Sequence, residues 1–241
     1  MSFKDHQFCR PPNDPHQPIW RYMSYIKFFS MLETNSLYFP KISILPDKYE
    51  GFISTKTLKY LKKSVKKLKD ENRRHEQYER LLLLLKTARD FLTVCSWHLN
   101  YNESTAMWNI YLIKGEGIAI KSSYHRLVNS LRNTEEDVYI GMVDYIDYDV
   151  DKIPFGNTLA PALYKRNIFE FENELRALVF LKKNIRDNGI YIKVNLNTLV
   201  ESIVLAPNTE NWVKDIIHDV LKRFGLEFAI NESVVISEPP Y

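Results

Sequence analysis

Glycine is scarce in this chain: seven of 241 residues, roughly 3% where about 7% is usual. No GxxxxGKS or GxxxxGKT run occurs, and the single GxG, Gly115-Glu116-Gly117, has Ile120 where a third glycine would fall. Phosphate-cradling loops need glycine so that the backbone can take positive φ and approach the phosphates. The composition therefore argues against a P-loop NTPase and an ordinary Rossmann cofactor site. Cysteine is scarcer still, with Cys9 and Cys95 alone. Two thiols cannot build a disulfide scaffold or a cysteine-based zinc site, and they are expected to be buried and inert. Long apolar runs are missing too: the longest, Leu81 to Leu85, is far short of the ~20 residues of a membrane span. The N-terminal stretch MSFKDHQFCRPPNDPHQP has no apolar signal core. It is expected to be a mobile, proline-rich arm over residues 1–18. A soluble, cytoplasmic protein with no membrane partner is the expectation.

What is present is a chain 45% hydrophobic, 26% charged and 13% aromatic, long enough for one substantial core. The net charge of +3 is unevenly spread: Lys56 to Arg89 carries 12 Lys/Arg against 4 Asp/Glu. Such a segment either contacts an anionic partner or is a solvated helix face.

Hydrophobic spacing predicts the elements. A strand at Ile19–Tyr22, a helix through Tyr25, Phe28, Phe29 and Leu32, and a strand at Leu37–Phe39 open the folded part. Leu58, Leu61, Val65 and Leu68, then Tyr78, Leu81, Leu82, Leu85 and Leu92, mark two helices joined at Asp70-Glu71-Asn72, a basic insertion over residues 54–90. Further on, Phe91–Trp97, Gly117–Lys121 and Val138–Tyr148 read as strands, while Met107–Tyr111, Tyr124–Leu131 and Ala162–Phe171 read as helices. Leu175–Leu181 and Ile190–Val194 look like a hairpin across Asp187-Asn188-Gly189. Ser202–Leu205 is a strand, Asn211–Phe224 an amphipathic helix ending at Gly225, and Leu226–Ile230 and Ser233–Ile236 are expected as final strands. Without regular βαβ alternation, the fold class is α+β: one domain over 19–241, a mixed and mainly antiparallel sheet with a helical hairpin insertion and a C-terminal helix.

Three clusters could carry chemistry. In Glu172-Asn173-Glu174-Leu175-Arg176 strand alternation would bring both carboxylates and the guanidinium to one face, with Leu175, Ala177 and Val179 on the other. Paired carboxylates split their pKa values; a surface ladder of ion pairs is the alternative. Trp97-His98 and Met107-Trp108-Asn109-Ile110-Tyr111 would make either an aromatic wall for a planar ring or ordinary core. Arg21, with Asp47 and Glu50 after the second strand, suits a diphosphate through its planar fork, or pairs with a carboxylate of its own chain.

Taken in order, these residues resemble a bacterial family known as domain of unknown function 2971. The features are the strand–helix–strand from Trp20 to Phe39, Pro46-Asp47-Lys48-Tyr49-Glu50-Gly51, Val94-Cys95-Ser96-Trp97, Met107–Tyr111 leading into Gly117-Ile118-Ala119-Ile120, Lys165 with Phe171–Arg176, and Ile203-Val204-Leu205-Ala206-Pro207. Pro46 and Lys48 stand where that family usually shows Asn and Pro. The order also resembles the ADP-ribosyltransferase fold in its bacterial conflict and DNA-modifying branches. That resemblance implies NAD as co-substrate and Glu174, or Glu172, as catalytic carboxylate. Arg21, Tyr38, Trp108 and Tyr111 would hold NAD, with Asp47, Glu50, Trp97, Lys165 and Arg176 around the substrate. It further implies an acceptor of protein or nucleic acid, no metal, and work in bacterial conflict or phage defence. Two other classes fit the residues: a metal-dependent nuclease or nucleic-acid binder using Asp144, Glu172 and Glu174 with Lys165 and the basic helices at 56–89, and a non-catalytic interaction module.

Overall fold

The computed structural model describes residues 4–66, 71–112, 116–154 and 156–236. Residues 1–3 of the expected arm, 67–70 of the insertion (with Leu68 and Asp70), Gly115, Phe155 and 237–241 lie outside the described residues.

The chain opens with β1 (Pro18–Met23), α1 (Tyr25–Thr34) and β2 (Ser36–Pro40). Asn35 takes the left-handed conformation (φ 45°) that ends α1 and turns the chain into β2. Helices α2 (Thr55–Lys66) and α3 (Glu71–Phe91) follow and pack on each other. Then come β3 (Leu92–Leu99), α4 (Thr105–Tyr111), β4 (Ile118–Ser123) and α5 (Tyr124–Ser130). Ser104 and Ser123 cap α4 and α5 by accepting from Met107 N and Arg126 N. The second half runs through β5 (Val138–Met142), β6 (Asp144–Ile146), β7 (Tyr164–Arg166), β8 (Glu174–Phe180), β9 (Gly189–Lys193), α6 (Leu196–Leu199), β10 (Ser202–Leu205), α7 (Asn211–Arg223) and β11 (Ala229–Glu232).

Seven strands form one open sheet in the order β11-β10-β4-β1-β3-β8-β5, antiparallel except for the β10–β11 edge pair. The fold is thus mixed α/β with an antiparallel sheet, several helices and no closed barrel among the described residues. No helix among them is long and apolar enough to cross a membrane. One face of the sheet buries Ile19, Ile120, Leu175, Ala177 and Val179 with Phe28 and Leu32 of α1, Leu127 of α5 and Leu221 of α7. Such burial is the main stabilising term of the fold.

Two features position the cleft described below. First, β1 and β3 pair only at Ile19↔Leu99 and Trp20↔His98, whereas β1 follows β4 for six residues and β3 follows β8 for seven. The two central strands therefore diverge. Second, β2 pairs with β9 in a separate two-stranded sheet, joined to β3 by the single bridge Lys41↔Thr93. Leu37, Phe39 and Ile192 of that small sheet pack into the main core.

Several elements differ from the sequence reading. β9 pairs with β2 and not with β8, because both edges of β8 are already taken by β3 and β5. The stretch 162–171 is no α-helix: 3-10 turns at Ala160–Leu163 and Asn167–Glu172 flank β7, which pairs in parallel with β6. The long strand 138–148 breaks at Val143, whose amide donates to Glu174 O. Val234–Ile236 is a 3-10 turn, and the last strand is displaced to Ala229–Glu232. The expected mobile arm lies along β5 over its described part: Lys4 N donates to Val138 O and Met142 N to Arg10 O. A Cβ on Gly141 would stand 2.7 Å from Cys9 Cα, so glycine permits that approach.

Candidate functional site

Arg176 is the centre of a buried ion cluster. It lies on β8, 1% exposed, and points away from the Leu175–Ala177–Val179 face. Its Nε and Nη2 donate to Glu174 at 2.8 and 2.9 Å, and Nη1 and Nη2 to the two Glu50 oxygens at 2.8 and 2.9 Å. A further bond from Nη1 to Ala162 O, 2.8 Å, ties the cluster to the 3-10 turn before β7. Lys165 Nζ, on β7, reaches Glu50 at 3.1 Å, Glu172 at 2.8 Å and Glu174 at 2.8 Å. Bidentate geometry with nearly every oxygen partnered is what makes such a buried cluster tolerable.

The loop that delivers Glu50 is shaped by Gly51, whose φ of 73° disfavours any side chain; a Cβ there would also strike Ile42 at 2.5 Å. Arg89 of α3 stacks over Phe52 at 4.1 Å and donates to Glu50 O at 2.7 Å, so the base of the helix pair grips the same loop.

The two glutamates of the pair are not equivalent. Glu174 is 5% exposed, and although burial opposes its ionisation, Arg176 and Lys165 hold its carboxyl far below the usual range. Glu172 is the last residue of a 3-10 turn and is less enclosed. Burial, then the neighbouring Glu174 charge, push its pKa up to about 7, against the pull of Lys165. One carboxylate is thus locked as an anion while the other titrates near neutrality, a division of labour typical of acid–base sites.

These groups line a cleft of about 950 Å³ that opens where β1 and β3 diverge. Aromatic side chains from several elements wall it, among them Tyr38, Trp97, Tyr111, Phe171 and Tyr191. The Tyr38 and Tyr191 rings, from the paired β2 and β9, lie 5.0 Å apart. Arg21 fills part of the gap: its Nη1 donates to Ser96 O at 3.0 Å and to Cys95 Sγ at 2.6 Å, and Nη2 reaches Tyr38 O at 3.4 Å. An arginine carries five N–H donors, and these three bonds leave donors for an anion.

Of the residues expected at the site, Arg21, Tyr38, Asp47, Glu50, Trp97, Tyr111, Lys165, Glu172, Glu174 and Arg176 all lie on the cleft wall. Asp47 is engaged by Arg166, 2.8 Å away. Trp108 is not brought there: it is 2% exposed, packs edge-on against Tyr22, and donates from its indole to Glu103 at 2.7 Å. Helical spacing explains this, since Met107, Ile110 and Tyr111 share the cleft side of α4 and Trp108 is turned about 100° away. The charged residues Glu172, Glu174 and Arg176 do not form an exposed ladder. Asp144 is paired with Arg10 and is not on the wall. Among the described residues no group of three or more His, Cys, Asp or Glu is placed to hold a metal ion.

The sequence reading set His98 beside Trp97 in an aromatic cluster and gave it no relation to Glu172. His98 lies on the wall, 7% exposed, opposite Glu174 in the β3–β8 register, with Nδ1 2.7 Å from Glu172 O. Its Nε2 is buried with no hydrogen-bond partner. The signal was its place on β3, one residue before the strand ends, but only the pairing with β8 brings it beside Glu174 and the turn that carries Glu172. No protein-family model matches the chain, and no curated protein matches it in sequence.

Proposed function

We propose that the cleft binds NAD and that the protein transfers ADP-ribose from it to an acceptor or to water. The observation that carries this reading is Glu172, a carboxyl titrating at about 7 on an aromatic-walled cleft that also holds Arg21. The strand–helix–strand order β1-α1-β2, with an arginine on β1 and an aromatic on β2, supports a likeness to the ADP-ribosyltransferase fold. The cleft is at the large end of the range for small-molecule sites, a size that suits a dinucleotide.

In the proposed reaction, the bond between the nicotinamide nitrogen and the ribose C1′ breaks, and its electron pair goes to the neutral leaving nicotinamide. Positive charge develops on the ribose, which the ionised Glu172 stabilises from close range. The acceptor's lone pair then forms the new bond to C1′, and its proton passes to the Glu172 carboxylate. Glu174 supports this chemistry at one remove, by keeping Lys165 and Arg176 in place and by raising the proton affinity of Glu172. Arg21 meets the diphosphate, and Tyr38, Tyr111 and Tyr191 provide faces for the planar rings.

The test is incubation of the purified protein with labelled NAD, following nicotinamide release and label transfer. Glu172→Gln is expected to lower the rate by about 10²- to 10⁴-fold, with the fold kept. The rate should rise with pH as Glu172 loses its proton near 7. NAD that stays intact and unbound, across protein, nucleic-acid and water acceptors, would overturn the reading.

A further inference from the structure

Glu172 owes its position to a turn that closes on itself through Asn173 N donating to Glu170 O at 3.1 Å and is held further from outside its segment. The turn runs from the 3-10 helix Asn167–Glu172 through Asn173, which takes the left-handed conformation (φ 36°), into β8. The end of β3 supplies most of those outside bonds. Leu99 N donates to Asn173 O at 2.8 Å, Asn173 Nδ2 donates to Leu99 O, and His98 meets Glu172 O. On the other side, Glu174 N donates to the Tyr145 hydroxyl at 2.9 Å.

We infer that His98 is a positioning residue for Glu172: its imidazole, donating from Nδ1 to the Glu172 carbonyl, holds the Glu172 carboxyl inside the cleft. A carbonyl oxygen only accepts, so the bond fixes the Nδ1–H tautomer. Burial also disfavours a charged ring, which keeps the imidazole neutral with a bare lone pair at Nε2. The charged and titratable groups around Glu172 are Lys165 from β7, Glu174 and Arg176 from β8, Glu50 from the loop before α2, Tyr111 from α4 and His98 from β3. His98 belongs to the β3–β8 ladder, whose seven pairs run from Leu92↔Phe180 to His98↔Glu174. Release of its bond lets the turn relax and the carboxyl move toward water, where its proton affinity returns toward the ordinary value.

The inference builds on the reading of Glu172 as the reacting carboxylate, but its test needs no turnover. Carbon-labelled glutamate, with Glu172 assigned by comparison with Glu172→Gln, reports the carboxyl midpoint directly. His98→Asn places an amide nitrogen where Nδ1 stands, and His98→Gln places it where Nε2 stands. The expected result is a wild-type midpoint in the Asn variant and a fall of about one pH unit or more in the Gln variant. Nitrogen shifts of His98 in the wild-type protein should show the Nδ1–H tautomer. The Nε2–H tautomer, or Asn and Gln variants that titrate alike, would overturn the inference, and the tautomer decides it even where the Gln variant does not fold. If the titrations behave as expected while NAD is untouched, the positioning role stands and the proposed activity falls.

Discussion

Glu174 and Arg176 show what a buried charge costs when its partner is removed. Both are almost fully enclosed, and Arg176 divides its donors between Glu174 and Glu50. Arg176→Met leaves Glu50, Glu174 and Lys165 to rearrange without the central cation, and a loss of about 3–5 kcal/mol in urea unfolding is expected. The titration of Glu172 predicts a pH dependence of opposite sign to that of its neighbour. Its folded-state pKa lies above the ordinary value, so its contribution is most favourable below about 4.5 and declines as pH rises to about 7. Glu174 has its folded-state pKa lowered, so its contribution is present above about 4.5 and is lost as pH falls below that. Glu172→Gln should remove the decline between 4.5 and 7, measured as a flatter urea midpoint across that window. The ionised form that the proposed chemistry needs is therefore the less stable one.

At the scale of elements, β8 was the most legible part of the chain. Alternation placed Leu175, Ala177 and Val179 in the core and turned Glu174 and Arg176 the other way. The same alternation failed for Glu172, because the left-handed Asn173 takes it off the strand; Glu172 joins the cluster through Lys165 instead. Asn173→Gly keeps the left-handed backbone but loses the Leu99 bond, a cost of about 0.5–1.5 kcal/mol. Asn173→Val should cost a further ~1–2 kcal/mol for the left-handed backbone, read from thermal melts alongside the Glu172 midpoint. Short-range signals found most helices and strands, since caps and apolar spacing are local. They missed the β2–β9 pair, the parallel β6–β7 pair and His98's neighbour, all of which join residues far apart in the chain. Trp108 shows the complementary limit: its residue type suits a ring-binding wall, but one step along α4 decides which side it faces.

Across the whole molecule, the basic helix pair α2–α3 is mechanically linked to the site. Arg89 joins α3 to the Glu50 carbonyl and Phe52, while Ser54, which donates to Asp151 O at 2.7 Å, and Thr57 fix the start of α2. Arg89→Met should speed amide exchange in the Glu50 loop before it affects the core of β3 or β8. Exchange that rises equally everywhere would show that the link is not local. The divergence of β1 and β3 has another consequence. Beyond Trp20 the β3-facing margin of β1 has no ladder, so the main-chain amide and carbonyl of Tyr22, turned to the same side as those of Trp20, stand beside the cleft. In a chain poor in glycine, this is backbone that the proposed ligand could approach, set in a strand paired on its other side with β4. The amide of the proposed ligand's ring could pair there with one N–H and one C=O, as an incoming strand pairs at a sheet margin.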